Sequence, residues 1–417
     1  MPKLFSLTLL TFLVFQACES QQEERTVFDV LTPVLRLFKG GLEPGIKRII
    51  ESRVNRQQLE SLNKAAKKYM GDFPCNLTVA SRSAKVPKTA HEVRPADIDV
   101  IGAIGDSLTA GSGISATSIL LELNDDRGKS FSIGGQGDWR SYLTLPNILK
   151  EFNPNLFGYA RGASITVEPD SQFNVAEIGA ISSDMPFMAN VLVQRMKEDP
   201  RVDINNHWKL ITHMIGANDF STEICYYKNP YDVLEKHRQD LIKVLRTFRD
   251  NLPRTIVIVL PPPNLEEITR WNDLSPICVV SHSFFSPCIK GVAFKKKQKM
   301  FFDIMKKWQQ IDIEVSDMPE FDLDDFTVIT PLFFSNYTVP KTDRGTTDYG
   351  YFAPDCFHFS EKGHAKVAND LWNSLLEPFG NKSTDGTEFL SKFNCPTEEH
   401  PYIFTRRNSI KITKTDP

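Results

Sequence analysis

Three side chains in this sequence are of the types that together turn a hydroxyl group into a nucleophile. Ser107 follows Gly105 and Asp106 at the end of an apolar run, where a tight turn would direct its hydroxyl into a cleft. A serine hydroxyl is a weak nucleophile and needs a base to take its proton. Asp355 and His358 lie three residues apart, so one loop can supply both the base and the carboxylate that orients it. The three residues predict nucleophilic catalysis.

Two further positions have the chemistry that stabilises an oxyanion. Asn218 lies in a Gly-Ala-Asn-Asp string after a second apolar run, and a buried amide there is a good donor. Gly179 lies within residues 174–180, where a missing side chain lets a backbone N–H approach the same point. Taken singly, each candidate is more typical of a turn, a cap or a surface loop. Their joint placement is what favours a catalytic site.

The candidates fall at the ends of alternating strands and helices. Short apolar or β-branched runs, typical of strands buried on both faces, occur at residues 97–104, 209–215, 255–260 and 326–329. Amphipathic helices are predicted at residues 183–197, 231–251 and 360–376, with His237 on the apolar face of the second and Ser360 as N-cap of the third. This alternation predicts an α/β domain whose parallel sheet is flanked by helices on both faces. Such sheets bind ligands at the carboxyl ends of their strands.

Length, composition and charge narrow the class of protein. The chain has 417 residues, 41% of them hydrophobic and 24% charged, which is the composition of a globular protein with a core. A disordered or collagen-like chain is therefore excluded. The formal net charge is −3 and the pI is about 6.3, so no nucleic-acid partner is expected.

The N-terminus has the features of a cleaved secretory signal peptide, with an uncleaved anchor or a buried helix as the alternatives. Lys3 precedes an apolar run at residues 4–15, and small residues at Cys18 and Ser20 suit a peptidase. Loss of Cys18 leaves an even set of disulfide candidates, suited to an oxidising compartment: Cys75, Cys225, Cys278, Cys288, Cys356 and Cys395. Glycosylation acceptors at Asn76, Asn336 and Asn381 agree with a secreted or luminal protein.

The pairing of the cysteines stays open at this point. Six cysteines allow many connectivities, and the sequence does not choose among them. Cys278 and Cys288 are close enough in sequence to form a local bridge. Cys356 lies between Asp355 and His358, where a disulfide that fixes the loop is favoured over a reactive thiol.

The candidate blocks occur in the order found in the GDSL (SGNH) hydrolases, and longer strings resemble the phospholipase B-like branch of that family. The blocks are Gly105-Asp106-Ser107-Leu108, Gly179 within residues 174–180, Asn218 within residues 216–219, and Asp355-x-x-His358. The longer strings are Ser-Ile-Gly-Gly at 132–135, Thr-Leu-Pro-Asn-Ile-Leu at 144–149 and Phe-Ala-Pro-Asp-Cys-Phe-His-Phe-Ser at 352–360. The resemblance implies a three-layer α/β/α sandwich with a mostly parallel sheet of about five strands. It also implies Ser107 as nucleophile, His358 as base and acid, Asp355 as orienter, and an oxyanion hole formed by Ser107, Gly179 and Asn218.

The function implied by the resemblance is ester hydrolysis by a secreted protein. The substrates would be glycerophospholipids and lysophospholipids, met transiently at a membrane or micelle surface, with no metal or other cofactor. Membrane-bound relatives with several repeats have a C-terminal span, whereas this sequence contains one catalytic unit and no later apolar run of that length, so no transmembrane anchor is expected. A general carboxylesterase for other lipid esters and a catalytically silent lipid-binding protein are the alternatives.

The expected organisation has four parts. Residues 1–20 are the signal peptide, 21–94 a helical extension with a linker, 95–380 the catalytic domain and 381–417 a C-terminal tail.

Other patterns favour less specific interpretations. Residues 111–116 match a dinucleotide-binding pattern but do not directly follow the strand, so a turn is favoured. The lysines at 295–299 could meet anionic headgroups, although a solvated helix face is the more common explanation. Aromatic runs at 284–285 and 332–334 are more typical of a core, with an acyl pocket as the alternative. The cysteines lack the spacing of zinc ligands, so no metal site is predicted.

Overall fold

The computed structural model describes residues 72–271, 273–386 and 391–413. The predicted signal peptide (residues 1–20), with Cys18, and most of the predicted helical extension (residues 21–71) lie outside the described residues. The remainder of that extension leads into the first strand through 3₁₀ turns at Ala90–Glu92 and Pro95–Asp97.

A parallel sheet forms the centre of the fold. In the described part of the chain its strands are β1 (Ile98–Gly105), β2 (Trp208–Met214), β3 (Thr255–Val259) and β4 (Phe326–Ile329), which lie side by side in chain order. Nearly every strand residue is buried, as expected for a sheet covered on both faces. The predicted strands are confirmed, with small shifts at their ends.

The sheet has four strands in the described residues, where the resemblance implied about five. The place outside β1 is taken by two separate loop segments. The carbonyl of Phe157 accepts the N–H of Ile101, and the carbonyl of Phe173 accepts the N–H of Ala103. Between these contacts the chain leaves the sheet at Gly158, whose φ of 95° is left-handed. The outer edge of β1 is therefore hydrogen-bonded by loops that form only isolated bridges.

Two groups of helices flank the sheet. The helices are α1 (Ser107–Ala110), α2 (Leu145–Phe152), α3 (Met185–Glu198), α4 (Asp232–Asn251), α5 (Pro276–Phe285), α6 (Pro287–Lys290), α7 (Gln298–Ser316), α8 (Glu361–Leu375) and α9 (Arg406–Thr413). Helix α4 packs against α3 and α7, and α2 packs against α8. The three predicted helices correspond to α3, α4 and α8, and Ser360 caps α8 by accepting the N–H of Gly363 at 3.2 Å. The predicted α/β fold class is confirmed.

The six candidate cysteines form three disulfides. The pairs are Cys75–Cys395, Cys225–Cys288 and Cys278–Cys356. The local bridge between Cys278 and Cys288 is not formed, because each of these residues is paired with a different segment. The first pair joins positions 320 residues apart and so ties the two ends of the described chain together.

Candidate active site

Ser107 lies where β1 turns into the short helix α1. Gly105 has a φ of 158°, and a Cβ at this position would lie 2.6 Å from the backbone oxygen of Met214, so a side chain does not fit. Asp106 is the N-cap of α1, and its Oδ1 accepts the N–H of Leu108 at 3.0 Å. These contacts place Ser107 at the carboxyl edge of the sheet.

The structure brings Ser107, His358 and Asp355 together in one chain of hydrogen bonds. Ser107 Oγ lies 2.8 Å from His358 Nε2, and His358 Nδ1 lies 2.6 Å from Asp355 Oδ2. All three residues are buried. Because an ionised carboxylate can only accept, Asp355 fixes the proton on Nδ1 and leaves Nε2 free to accept the serine proton.

The catalytic loop, residues 355–358, is held from several sides. Asp355 Oδ1 accepts the backbone N–H of His358 at 3.0 Å. Cys356 has a left-handed φ of 57°, which is uncommon for a residue other than glycine. A disulfide to Cys278 and a 2.9 Å hydrogen bond from His282 Nε2 to its carbonyl hold Cys356 in this conformation. The surroundings therefore fix the shape of the loop.

Gly179 and Asn218, the predicted oxyanion donors, lie on neighbouring segments at the same edge of the sheet. The N–H of Glu177 donates to the carbonyl of Gly105 at 3.1 Å, which keeps that segment beside the end of β1. Gly179, two residues further on, has a left-handed φ of 69°. Asn218 follows β2, and its Nδ2 donates to the carbonyl of Ala180 at 2.9 Å. An amide nitrogen carries two hydrogens, so this bond orients the group and leaves a second hydrogen for a ligand.

Glu122 belongs to the site, although no sequence pattern indicated it. Its Oε1 accepts the backbone N–H of Asp355 at 2.6 Å, across 233 positions of sequence. Burial, together with the charge of Asp355, raises the pKa of Glu122 to about 8. The carboxyl group is therefore neutral at neutral pH and does not repel the adjacent carboxylate. Only the folded chain brings these two residues together, which is why spacing gave no signal.

The electrostatics of the site favour a positive His358 beside a negative Asp355. Burial opposes charge on the ring, but the charge and hydrogen bond of Asp355, together with the charge of Asp106, outweigh it and raise the pKa of His358. Burial also opposes charge on Asp355. The charge of the His358 ring and the hydrogen bonds from His358 and Phe357 outweigh this effect and lower the pKa of Asp355. Burial raises the pKa of Asp106 to about 6. The ring is thus stabilised in the protonated state that follows proton transfer from a serine.

An apolar pocket lies beside the serine. It spans about 460 Å³ of empty space, part of which is open to solvent. Leu108, Ala217 and Phe357, which adjoin the three site segments, form part of its wall. The other lining residues are mostly apolar or aromatic: Pro263, Asn264, Leu265, Glu267, Ile268, Trp271, Tyr337, Val339, Phe352 and Phe359. Such a lining suits an extended hydrocarbon group.

The aromatic runs considered as a pocket wall lie elsewhere. Phe333 and Phe334 are buried in the core, and Phe334 stacks on Phe359 with 6.4 Å between ring centroids. Phe285 lies edge-on to the ring of His358 at 6.0 Å. None of the described side chains at 285 and 332–334 lines this pocket. Core packing, the favoured interpretation, is confirmed for Phe333 and Phe334.

A second serine, histidine and aspartate lie in contact next to the segments that carry the predicted oxyanion donors. Ser182 Oγ lies 2.9 Å from His237 Nδ1, and His237 Nε2 lies 2.8 Å from Asp312 Oδ1. The N–H of Ser182 donates to the carboxylate of Asp219, which follows the predicted amide donor, at 3.2 Å. His237 stacks on Trp308 with 3.7 Å between ring centroids. The sequence indicated only that His237 lies on the apolar face of a helix.

Three further predictions concern glycosylation, membrane-spanning helices and metal sites. The predicted glycosylation acceptors are all exposed: Asn76, Asn336 and Asn381. In residues 72–413, apart from the gaps given above, no helix is long and apolar enough to cross a membrane. Within the same ranges, no three His, Cys, Asp or Glu side chains gather where they could hold a metal ion.

Comparison with known sequences adds a family and several relatives. A family described as GDSL-like Lipase/Acylhydrolase matches residues 101–371. Phospholipase B1, membrane-associated, of Rattus norvegicus is 36% identical over 358 residues, which are 84% of this chain and 24% of that protein. The Homo sapiens protein of the same description is 36% identical over 353 residues, again 84% and 24%. The chain thus spans about a quarter of the length of these relatives.

Solved structures of two bacterial enzymes are more distant. Phospholipase A1 from Streptomyces albidoflavus NA297 is 14% identical, covers 64% of this chain and 95% of its own, and gives a TM-score of 0.31. An extracellular lipase from Streptomyces rimosus is 14% identical, covers 64% and 94%, and gives a TM-score of 0.33.

Proposed function

The chain belongs to the GDSL-like lipase/acylhydrolase family, and on that premise we propose that it is a serine esterase that acts through Ser107, His358 and Asp355. The observation that carries the proposal is the unbroken hydrogen-bond chain from Ser107 Oγ through the His358 ring to Asp355, beside an apolar pocket. Nucleophile, base and orienting carboxylate are already within hydrogen-bond distance. Proton transfer therefore needs no rearrangement of these side chains.

In the acylation step, Ser107 Oγ attacks the ester carbonyl carbon while His358 Nε2 takes the hydroxyl proton. Asp355 stabilises the imidazolium that forms. The carbonyl oxygen becomes an oxyanion, for which the proposed donors are the N–H groups of Ser107 and Gly179 and the free amide hydrogen of Asn218. Collapse of the tetrahedral intermediate breaks the ester C–O bond. The departing alcohol takes the proton from Nε2 and leaves an acyl ester on Ser107.

In the deacylation step, water takes the place of the alcohol. His358 removes a proton from the water as its oxygen adds to the acyl carbon, and the same donors stabilise the second oxyanion. The bond to Ser107 Oγ then breaks, and Oγ recovers its proton from His358. The products are a carboxylic acid and the free enzyme.

We infer that the substrates are glycerophospholipids and lysophospholipids. The pocket wall that begins at Leu108 is mostly apolar, so an acyl chain beside the scissile ester would lose contact with water there. The curated relatives are described as phospholipase B1, which supports the same class of substrate.

We propose that the protein works outside the cytosol. Three disulfides, one of which holds the catalytic loop, require an oxidising compartment. Exposed glycosylation acceptors and the predicted signal peptide at residues 1–20 support secretion. Edman sequencing of the protein secreted by a eukaryotic host, together with its mass before and after glycosidase treatment, tests this proposal.

The catalytic proposal is tested with phosphatidylcholine that carries different acyl chains at its two positions, and with lysophosphatidylcholine. We expect fatty acid to be released from both lipids, and mass spectrometry identifies which chain leaves first. Ser107→Ala serves as the inactive variant. Ser182→Ala is the matched control, because it removes a hydroxyl that also contacts a histidine.

Two results would count against the proposal in different ways. Equal fatty-acid release by Ser107→Ala and the wild-type protein would remove Ser107 from the mechanism. Hydrolysis of short soluble esters without release from either phospholipid would keep the mechanism and refute the lipid substrates.

A further inference from the structure

Helix α5 packs against the catalytic loop with one face and exposes an apolar face on the other. Cys278, Ser281 and His282, at helical spacing, are buried. Ile277 and Val280 on the outer side are 50% and 65% exposed. None of the ten residues of α5 carries an acidic or a lysine or arginine side chain. The outer face of a surface helix is ordinarily polar, so this apolar face indicates contact with a partner.

The position of α5 places that partner close to the reacting atoms. The disulfide between Cys278 and Cys356 and the hydrogen bond from His282 to the Cys356 carbonyl fix the helix to the catalytic loop. The ring of Phe285 lies 6.0 Å from that of His358. A helix with its side chains is about 10–12 Å across. A surface that covers α5 therefore lies roughly one helix diameter from the catalytic loop.

The chain around and after α5 contains lysines but no acidic residues. Between residues 274 and 302 the sequence contains five lysines and no Asp or Glu. Residues 295–297 are exposed lysines in a 3₁₀ segment, Val292–Lys297, whose first residue is 90% exposed. Helix α6 packs against both α5 and this segment, so the apolar and basic parts are continuous. Exposed apolar side chains next to lysines are suited to a surface that is anionic outside and hydrocarbon beneath.

We propose that this region is a docking surface for anionic phospholipid assemblies. We define the docking surface by its exposed side chains: Ile277, Val280, Val292, Lys295, Lys296 and Lys297. The apolar side chains enter the layer between headgroups while the lysine ammonium groups pair with lipid phosphates. The proposal rests on the proposed hydrolysis of phospholipids and adds the face by which the enzyme meets them.

The two kinds of contact contribute differently to binding. Transfer of one valine or isoleucine side chain from water into lipid strengthens binding by about tenfold or more. One lysine near an anionic surface contributes about fivefold, so three together contribute about a hundredfold. Added salt weakens the second contribution and leaves the first largely unchanged.

Vesicle co-sedimentation tests the docking surface directly. The full chain carries Ser107→Ala, so that the lipid stays intact, and the vesicles are phosphatidylcholine alone or mixed with phosphatidylglycerol. We expect tighter binding to the mixed vesicles, weakened by salt. Addition of Val280→Asp should weaken binding by about tenfold or more. Replacement of Lys295, Lys296 and Lys297 by Gln should abolish the preference for phosphatidylglycerol.

Val86→Asp is the matched control for Val280→Asp. Val86 is also exposed, but it lies at the opposite edge of the sheet, since the carbonyl of Pro87 accepts a hydrogen bond from Trp208 at the start of β2. Its substitution should leave vesicle binding unchanged. Without the Ser107 change, Val280→Asp should still hydrolyse a short water-soluble ester, because the docking surface is outside the reacting groups.

Several outcomes would overturn the docking surface. Equal vesicle binding by the Val280→Asp and Val86→Asp proteins would do so. The proposal would also fail if Val280→Asp abolished self-association in gel filtration but left vesicle binding intact. In that case a second copy of the chain, and not a lipid surface, would cover α5. A wild-type protein that binds mixed vesicles and hydrolyses no ester would refute the proposed function and leave the docking surface supported.

Discussion

Two sets of a serine, a histidine and an aspartate lie in this molecule at nearly the same distances. In the first set, Ser107 contacts His358 Nε2 at 2.8 Å and Asp355 contacts Nδ1 at 2.6 Å. In the second set, whose central residue is His237, the ring is reversed: the serine contacts Nδ1 at 2.9 Å and the aspartate contacts Nε2 at 2.8 Å. All six residues are buried. Distance and residue type therefore do not separate the two sets.

Electrostatics does separate them. The charge of Asp355 outweighs burial and raises the pKa of His358, whereas burial dominates at His237 and lowers the pKa of its ring to about 3. Burial also raises the pKa of Asp312 well above its usual value. Burial thus disfavours, in the second set, the imidazolium and carboxylate that would result if His237 took the Ser182 proton.

The surroundings of the two Ser-His-Asp sets differ as well. The first set adjoins the apolar pocket at Leu108 and Phe357, while the second is covered by the stacked ring of Trp308. Through the contact of Ser182 with Asp219, the second set joins the two segments that carry the proposed oxyanion donors. Ring orientation, charge and access, and not residue type or distance, therefore distinguish the proposed triad from the second set, which we propose is a structural link.

The largest expected effect distinguishes the two histidines by activity. His358→Ala should lower kcat/KM by about 10⁴–10⁶-fold, since it removes the base, with a small change in the unfolding midpoint. His237→Ala should retain most of the activity of the molecules that stay folded. The rate of ester hydrolysis of each variant, divided by the folded fraction that circular dichroism measures, checks both expectations. Equal losses in the two variants would remove the distinction.

Asn218→Ala should lower kcat by about 10²–10³-fold with a smaller change in KM, because its amide is proposed to bind the oxyanion and not the ground-state ester. Asn218→Asp is a useful companion, since it keeps the size of the side chain and replaces a donor with an acceptor. Steady-state kinetics on a soluble ester separates kcat from KM. An Asn218→Ala protein with unchanged kcat would exclude the proposed donor.

His237→Ala should lower the free energy of unfolding by about 3–5 kcal/mol, because it leaves a cavity beside Trp308 and removes two buried hydrogen bonds. Ser182→Ala, which keeps the ring in place, should cost about 1–3 kcal/mol. Urea unfolding measures both. A His237→Ala protein as stable as the wild type would show that the second set does not link the oxyanion segments.

The smallest expected effect concerns Glu122. Glu122→Gln keeps an oxygen that can accept the Asp355 N–H, so kcat should change little. Glu122→Ala leaves that N–H unpaired, which should lower the free energy of unfolding by about 1–3 kcal/mol. With a pKa of about 8, Glu122 is neutral on the acid side of the profile, so the Gln variant should leave the acid limb unchanged. The pH profile of kcat/KM tests this expectation. A displaced acid limb would contradict a neutral Glu122.

The sequence predicted most of the scaffold and the first set of residues. Ser107 and Asn218 follow continuous apolar strands, and Asp355 and His358 lie within one short string, so local spacing was informative. Residues that meet only through tertiary packing gave no such signal. Glu122 reaches Asp355 across 233 positions, and the members of the second set come from three separate elements. About five strands were implied by the family resemblance, whereas the described segments beside β1 form only isolated bridges with it.

Covalent labelling with a fluorophosphonate tests most directly which serine is the nucleophile. The reagent forms a P–O bond with a serine oxygen whose proton is taken by an adjacent base, and fluoride leaves. We predict a single phosphonyl group on the peptide that contains Ser107, lost in Ser107→Ala and unchanged in Ser182→Ala. Labelling that persists in Ser107→Ala, or that maps to Ser182, would contradict the assignment.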